Sequence, residues 1–461
     1  MVVETGVATL PLPPRNPLPF RQRLAAARRF DTGPEKLRDA GGPVTRNVLA
    51  PKWMMPPLVF VSSPQGAHDV LGRNDAFAER GVTPVSWELR RLMGDNLLVV
   101  PYREWLPRRR ALQPIFTKRN VPRFAGHMAE AAEELSRRWA DGAEVDLDAE
   151  CRALTLRALG RSVLGIDLQD RAGAVGPALR AGAKWASDRA LRPINPPRWL
   201  PTRGQRRACA ARTALYQLAA DILHACRADP HIDAPLVRAL IATIDPDTGR
   251  PLADAAIRNE LVLFLLAGHE TTSTALMYAL WALGHRPELQ ARVAAEVGQL
   301  GDRRLTPDDV PRLGYTVQVL HEALRLCPPA PAVGRTVLQD IEVDGYRLAA
   351  GTFAVVAIYA IHRDPALWED PLTFDPDRFS PDRSKGRNRW QYLPFGGGPR
   401  GCIGDHFAML EATLALATII QRSQVRSLDS DFPVATPLTT IAAAPIRARA
   451  QRRAALTGGL F

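Results

Sequence analysis

A long apolar segment in the middle of the chain constrains the fold more than any other feature. No proline occurs between Pro251 and Pro287, and the interior LVLFLLAGHETTSTALMYALWALG is apolar on nearly all sides. At 1.5 Å per residue, some 30 helical residues make a rod of roughly 45 Å, long enough to cross a whole domain. Glu270 and its polar neighbours interrupt the run, so we predict a buried core helix rather than a membrane span.

The segments on either side of this rod predict a mainly α-helical chain with a minor β-sheet. Apolar positions recur at three and four residues from Phe124 to Asn259, with a break at the proline-rich loop 192–201. Short strands are expected over 341–361 and near the end of the chain, where residues alternate between turn signals. Further helices are expected after Pro287, after Pro307, around 315–327 and over 403–422.

The start of the chain has a different composition from the rest. The segment 1–55 is rich in proline and arginine and is expected to form an arm on the surface, followed by a core over 56–461. No internal repeat or flexible linker appears, so we expect a single domain over 1–461.

Composition excludes several classes of protein. Hydrophobic residues make up 46% and charged residues 23% of the chain, which excludes wholesale disorder and a fibrous fold. The five cysteines are scattered and form no CxxC pair, which argues against a disulfide scaffold and a structural zinc site. The N-terminus does not have the pattern of a secretory signal, so we expect a cytoplasmic protein with no membrane span.

The net charge of +12 raises the question of nucleic-acid binding. We expect no nucleic-acid partner, because the arginines are spread along the whole chain and no nucleic-acid-binding motif accompanies them. One local basic cluster stands out, and it consists of Arg103, Arg108, Arg109, Arg110, Lys118, Arg119 and Arg123. This cluster is either a solvated helix face or a docking patch for an acidic protein partner.

The strongest chemical signal is the segment 395–404, with the sequence FGGGPRGCIG. Its glycines permit a tight turn with positive φ. Cys402 comes immediately before a predicted helix, where unpaired N–H groups and the helix dipole favour an anion. A thiolate held there can bind a metal, and N–H donors to its sulfur tune the metal. The alternative is a glycine-rich hairpin with an inert cysteine, which the ten-residue match to FGxGxRxCxG disfavours.

This segment resembles the cysteine loop of the cytochrome P-450 family, whose members are haem-thiolate proteins. The resemblance covers about residues 100–405, and it implies a single-domain cytochrome P-450 fold. Haem b (iron protoporphyrin IX) would lie between the long central helix and the cysteine-bearing loop and helix. Pro107 is a departure from the family pattern, and it suggests that Trp105 lies at the start of its helix. The supporting motifs, in the family's order, are WLPRR at 105–109, AGHETT at 267–272, EALR at 322–325 and FDPDRF at 374–379.

The resemblance also implies roles for individual residues. Cys402 would be the iron ligand, and thiolate ligation favours O–O cleavage. Because haem propionates are anions, N–H donors suit them, and the implied donors are Trp105, Arg109, Arg335 and Arg400. The other implied cofactor-binding positions are Ala267, Phe395 and Gly404. The family's buried charged triad, which holds the segment before the cysteine loop and takes no part in chemistry, is matched by Glu322, Arg325 and Arg378.

Glu270 and Thr271 are the catalytic residues that the resemblance implies. Dioxygen chemistry needs protons in a site that otherwise excludes water, and an acid beside a hydroxyl can relay them. Gly268 costs about 1 kcal/mol relative to alanine in a helix interior. Its expected purpose is a local widening that turns Thr271 toward the haem, and the alternative is a harmless glycine in a well-packed helix. We assign His269 a packing or polar role rather than that of a second iron ligand.

Apolar walls predict a hydrophobic substrate: a fatty acid, terpenoid, steroid or polyketide. The expected walls are Leu265, Leu266, Ala267, Ala330, Ala332, Val333, Leu438, Thr439 and Thr440, covered by a loop over 82–98 that supplies Trp87, Leu92 and Met93. The expected reaction is a monooxygenation with dioxygen. The alternatives are a peroxygenase or isomerase on the same scaffold, or a haem-binding protein without turnover.

The electron supply is expected to be external. The sequence contains no flavin or iron–sulfur motif, so electrons would come from separate proteins, a ferredoxin or flavodoxin and its reductase. We expect the chain itself to be a monomer.

Overall fold

Helices account for most of the molecule. The structure, a computed structural model, describes residues 4–49, 51, 55–72, 78–80, 83–190, 192, 195–197, 199–245 and 248–453. Within these parts the α-helices α1 to α17 are, in order, Glu4–Val7, Phe20–Ala27, Gly33–Gly41, Pro64–Leu71, Pro84–Met93, Tyr102–Leu112, Ala125–Arg138, Leu147–Leu159, Ala172–Ala190, Arg203–Ala228, Pro235–Ala242, Asp254–Gly284, Pro287–Gly298, Gly314–Leu326, Ile358–Ile361, Pro381–Ser384 and Asp405–Arg422.

Short turns of other helix types connect several of these helices. A π-helical turn, Gly160–Leu164, continues α8. Turns of 3₁₀ helix lie at Gln113–Phe116, Val121–Phe124, Gln169–Arg171, Pro307–Arg312, Pro376–Phe379 and Arg389–Gln391.

The strands are short, as predicted. In chain order, β1 to β12 are Val44–Asn47, Leu58–Val61, Ala78–Glu79, Ala143–Asp146, Val333–Val337, Ile341–Val343, Tyr346–Leu348, Phe353–Val356, Ser423–Ser427, Val434–Ala435, Ile441–Ala442 and Arg447–Arg452. The largest sheet has the order β1-β2-β8-β5-β3, in which only the β2–β8 pair is parallel. The strands β4, β12 and β9 form an antiparallel sheet, and β6–β7 and β10–β11 are separate antiparallel pairs.

The predicted rod is present as α12, a helix of 31 residues. Most of its side chains are buried, because α8, α10, α14 and α17 all pack against it. A helix covered on all sides gains nothing from a polar face, which explains why its sequence is apolar nearly all round. None of the helices in the described ranges combines the length and apolar character needed to cross a membrane.

Three expectations about local structure were wrong. Residues 84–93 of the expected covering loop form helix α5, which Thr83 caps by accepting a hydrogen bond from the Ser86 N–H. Ile358–Ile361 is a short helix rather than the end of a strand. The segment after Thr306 is a 3₁₀ turn rather than an α-helix, and Pro311 within it has no N–H to continue a helical ladder.

The N-terminal segment is more than an arm on the surface. Strand β1 pairs with β2 at the edge of the largest sheet. Leu37 of α3 is fully buried and belongs to a small core that α2, β2 and β8 also line. The segment therefore closes one side of the sheet, and its tertiary contacts outweigh its proline-rich composition.

Candidate active site

The cysteine loop is a tight turn closed by backbone hydrogen bonds. The Cys402 N–H donates to the Phe395 carbonyl at 2.9 Å. Gly398 has φ +70°, and a Cβ added there would lie 1.7 Å from the Leu71 carbonyl oxygen, so only glycine fits. Helix α17 begins at Asp405, just after the loop, as predicted. The loop therefore holds the cysteine at the start of a buried helix.

Cys402 differs from the buried cysteines in its exposure and in the hydrogen bond that its sulfur accepts. Its Sγ accepts a hydrogen bond from the Gly404 N–H at 3.3 Å. Solvent reaches the Cys402 side chain, although the surrounding protein atoms are close enough to raise the pKa of its thiol. The Gly404 N–H and the Arg109 guanidinium act in the opposite direction and favour the thiolate. Cys151, Cys226 and Cys327, by contrast, are buried.

Two of the predicted propionate donors, Arg109 and Arg400, lie close to a third, Trp105. The Arg400 guanidinium lies 4.6 Å and the Arg109 guanidinium 6.0 Å from its ring centroid. Arg109 Nη1 also donates to the Gly401 carbonyl at 2.9 Å, which ties α6 to the cysteine loop. Trp105 lies in the first turn of α6, as Pro107 suggested. Arg335 is buried on β5, one residue from Thr336, which pairs with the neighbouring strand β3.

The central helix is exposed at one point along its buried middle. Ala267 is exposed and Thr271 half-buried, while positions 261–266 and 272–277 are buried. The Thr271 hydroxyl donates to the Ala267 carbonyl at 2.9 Å. Two of the positions that the resemblance implies, Ala267 and Thr271, are therefore accessible within this otherwise buried part of α12.

Glu270 points away from bulk water. It is 2% exposed, and its Oε2 accepts a hydrogen bond from the Thr439 hydroxyl at 2.9 Å. Burial raises the pKa of Glu270, while Thr439, Arg180 and Arg152 lower it. The neighbouring His269 is also buried, and its Nδ1 lies 2.6 Å from the Leu265 carbonyl. Burial lowers the pKa of His269 to about 4, so it is neutral and packs in the core, in line with the role we assigned it.

Gly268 has a packing reason that the sequence did not reveal. A Cβ at this position would lie 2.6 Å from Leu159 Cδ1, so the absence of a side chain at residue 268 makes room for Leu159 of α8. Helix α12 is α-helical throughout Asp254–Gly284, without the local widening that we expected. Close packing against α8, and not a distorted turn, explains this glycine.

The predicted triad is present and buried. Arg325 Nε donates to Glu322 Oε2 at 2.7 Å and Arg325 Nη2 donates to Glu322 Oε1 at 2.8 Å, with both side chains 0% exposed. Arg378 Nε lies 3.4 Å from Glu322 Oε1. Arg325 also donates to the carbonyls of Pro371 and Thr373. These hydrogen bonds hold the irregular segment before the cysteine loop in place.

The expected walls are brought together only in part. The 438–440 loop meets α12 where Thr274 donates to the Thr440 carbonyl at 2.9 Å, and the Thr440 hydroxyl donates to the Pro328 carbonyl at 2.7 Å. Ala332, however, packs against the core shared with the N-terminal helices. Trp87 is 51% exposed on α5, whereas Leu92 and Met93 are buried.

Only some members of the basic cluster are exposed, and the other two, Arg108 and Arg109, make contacts within the protein. Arg108 points inward, and its Nη1 lies 3.0 Å from the buried Glu260 Oε1 on α12. Arg109 belongs to the site around Trp105. The exposed members, which alone could form a docking patch, are Arg103, Arg110, Lys118, Arg119 and Arg123.

The donor set fits a haem. One solvent-reached thiol offers a single soft ligand, and thiolate suits iron in haem proteins. Two arginines at the Trp105 ring, Arg109 and Arg400, and the buried Arg335 on β5 would supply N–H donors to the carboxylates of such a group. Sequence reasoning missed Glu79, which pairs with Arg400 at 2.8 Å, because its strand is two residues long and carries no motif.

Comparison with known proteins agrees with this geometry. The family profile described as Cytochrome P450 matches residues 11–447. Cyclooctatin synthase of Streptomyces melanosporofaciens is 36% identical over 367 residues, covering 79% of this chain and 80% of that protein. Pentalenene oxygenase of Streptomyces avermitilis is 31% identical over 344 residues, covering 73% of this chain and 75% of that protein. The crystal structure of the cytochrome P450DA heme domain aligns with a TM-score of 0.83 at 27% identity, covering 96% and 98% of the two chains.

Fold, site and relatives together define a mainly helical haem oxidoreductase. The chain belongs to the cytochrome P450 family. It is a monooxygenase, and its family implies a haem cofactor, an organic substrate and electron donors.

Proposed function

We propose that this protein binds haem b through Cys402 and oxygenates a terpenoid, using electrons from a separate ferredoxin or flavodoxin. The observation that carries the proposal is the exposed Cys402, whose Sγ accepts the Gly404 N–H in a turn that only glycine can close at residue 398. When bound, the haem supplies the activation of dioxygen. The residues of the chain then have to hold it, supply protons and exclude water.

Two features support a terpenoid substrate. The relatives reported above include proteins named cyclooctatin synthase and pentalenene oxygenase, and a further relative is named cyclooctat-9-en-7-ol 5-monooxygenase. Ala267 and Thr271 lie on a helix of mainly apolar sequence, and apolar surroundings suit a hydrocarbon skeleton. A substrate with few polar groups would be held by shape and oriented by hydroxyls such as that of Thr439.

Glu270 and Thr271 would move the protons. Burial raises the pKa of Glu270, and its Oε1, which has no hydrogen-bond partner within the described residues, is the atom from which a proton would be given up. Thr271 Oγ1 is oriented by its hydrogen bond to the Ala267 carbonyl. The two adjacent residues would thus pass a proton from Glu270 through water to the reaction site.

The exposed basic residues would receive the electron donor. Arg110 is exposed on α6, the helix that also carries Trp105 and Arg109, and Lys118 and Arg119 are exposed shortly after this helix in the sequence. An acidic protein docked there would be steered by charge and would approach the cysteine side of the haem. A single domain, a monomer and a cytoplasmic location complete the proposal, the last supported by five cysteines that are all free.

The first test is spectroscopic. Reduced protein treated with carbon monoxide should show the red-shifted absorption of thiolate-ligated haem, and Cys402→Ala should lose it. Cys209→Ala is the matched control, because Cys209 is the other exposed thiol and lies on α10. Persistence of the thiolate spectrum in Cys402→Ala would refute the assigned ligand.

Turnover separates monooxygenation from the alternative reactions. Purified protein with dioxygen, a surrogate ferredoxin and its reductase should oxygenate a terpene, whereas peroxide alone should support little product. Product formed only with peroxide would favour a peroxygenase. Haem binding without any turnover would favour a carrier.

A further inference from the structure

A buried glutamate that no motif indicates, Glu79, lies where three elements meet. It is 5% exposed on β3, and its Oε1 accepts a hydrogen bond from Arg400 Nη2 at 2.8 Å. The same oxygen accepts the Arg80 N–H at 2.7 Å, and Oε2 accepts the Tyr102 N–H at 2.8 Å. The carboxylate therefore ties the sheet edge to the first residue of α6 and to the cysteine loop.

The partner of this carboxylate is the arginine two residues before Cys402. The Arg400 side chain is 0% exposed, and both of its Nη atoms donate to the Val100 carbonyl at 3.1 Å. Its guanidinium lies over the Trp105 ring, which stacks on Tyr102 at 5.5 Å. Taking the acid away from a buried ion pair is strongly unfavourable, so Glu79 determines where this guanidinium is held.

We propose that Glu79 is a positioning residue for the haem, fixing Arg400 and Trp105 so that their N–H groups meet the propionates. The inference rests on the proposed function, because it requires Cys402 to hold the iron. Donors that are already ordered lose less conformational entropy when the cofactor binds. Glu79 therefore strengthens haem retention without touching the haem itself.

The same carboxylate also affects the charge around the iron ligand. Two cations lie beside the cysteine loop: Arg109, whose Nη1 donates to the Gly401 carbonyl at 2.9 Å, and Arg400, two residues before Cys402. Glu79 offsets part of this positive charge. Its removal would favour the reduced state of the iron, which carries one positive charge fewer, so the reduction potential would become more positive.

The test compares Glu79→Gln with a matched control, Asp309→Asn. Asp309 is also a buried carboxylate at 3% exposure. It accepts a hydrogen bond from Arg303 Nη1 at 2.8 Å and another from the Thr306 N–H at 2.8 Å, but it lies away from the cysteine loop in a 3₁₀ turn. Purified holoproteins would be compared by haem transfer to excess apomyoglobin, midpoint potential and thermal unfolding.

Glu79→Gln should release haem about tenfold faster, the effect expected for a weakened charge-assisted hydrogen bond, and its potential should become more positive. Asp309→Asn should unfold at a lower temperature but keep the wild-type haem loss and potential. If Glu79→Gln also lost only stability, Glu79 would be structural and the inference overturned.

A second variant covers the case in which Glu79→Gln does not accumulate as holoprotein. Glu79→Asp keeps the charge but shortens the reach to Arg400, so haem loss should be faster while the potential stays near that of the wild type. Haem loss at the wild-type rate would overturn the inference. Both readouts require the thiolate spectrum of the carbon monoxide complex, so loss of the Cys402 assignment would be recognised separately.

Discussion

Removing the acid of the buried triad should be one of the most damaging single changes to this fold. In Glu322→Gln the side chain keeps its size, but its negative charge is lost. Arg325, at 0% exposure, would keep its hydrogen bonds to the carbonyls of His362, Pro371 and Thr373 while losing its charge partner. Arg378 would lose the same partner, since its Nε lies 3.4 Å from Glu322 Oε1.

The magnitude follows from the burial of both partners. Breaking a buried ion pair by removing one member costs about 3–5 kcal/mol. At about 2.1 cal/mol/K per residue, the unfolding entropy of a chain of 461 residues is roughly 1 kcal/mol/K. The unfolding temperature should therefore fall by about 3–5 °C.

Urea and thermal unfolding followed by circular dichroism would measure this effect. The control is Asp254→Asn, which removes the acid of an exposed pair with Arg227, whose side chains are 51% and 47% exposed. Water and salt screen such a pair, so its loss should have little effect. A Glu322→Gln variant no less stable than Asp254→Asn would refute the reasoning that burial makes this triad indispensable.

Three other changes have distinct expected outcomes. Thr271→Ala should keep the fold and the haem but lose several-fold more reducing equivalents as hydrogen peroxide, because the hydroxyl that takes part in proton transfer is gone. The measurement is the amount of product formed per NAD(P)H consumed. Gly268→Ala should destabilise the protein by about 1–3 kcal/mol through its clash with Leu159. In a chain that already carries Leu159→Ala, which itself costs about 2–5 kcal/mol, the same change should cost less in urea unfolding. Replacing Arg110 and Lys118 with glutamate should slow reduction by an acidic ferredoxin several-fold and weaken the salt dependence of its rate in stopped-flow measurements.

Each of these predictions has a control in the same chain. Thr271→Ser restores a hydroxyl and should restore much of the coupling. Gly126→Ala, on α7 with nothing within 4 Å of its Cβ, should stabilise rather than destabilise, because alanine is the better helix former. Glutamates at the exposed Arg426 and Arg449, which pair across β9 and β12, should leave the reduction rate unchanged. Wild-type coupling, stability or reduction rate in the three test variants would contradict the respective assignments.

The features predicted well depend on residues close together in sequence. The cysteine turn is closed within ten positions, the triad pair Glu322–Arg325 lies on one helical turn, and α12 is defined by a continuous apolar run. The exposure of Ala267 in the middle of that run followed from the resemblance and not from its residue type.

The features that were missed depend on distant partners. Glu79 meets Arg400 across 321 positions, and its strand is too short to have a pattern of its own. Gly268 was interpreted through its own helix, whereas its reason lies on α8 in Leu159. Helix α5 was expected to be part of a covering loop; its first-turn proline and the Gly94 that ends it are signals that helices and loops share.

The pairing of β2 with β8 makes synthesis of this protein an ordered process. Leu58 is the partner of Phe353, so one edge of β2 lacks its native neighbour until 295 further residues have been made. At roughly 5–20 residues per second, that interval lasts about 15–60 s on the ribosome. During this time the apolar strand LVFV exposes unpaired N–H and carbonyl groups, which can pair with other chains. Expression at lower chain concentration or with chaperones that cover such edges should therefore raise the yield of soluble protein more than stabilising the finished fold would.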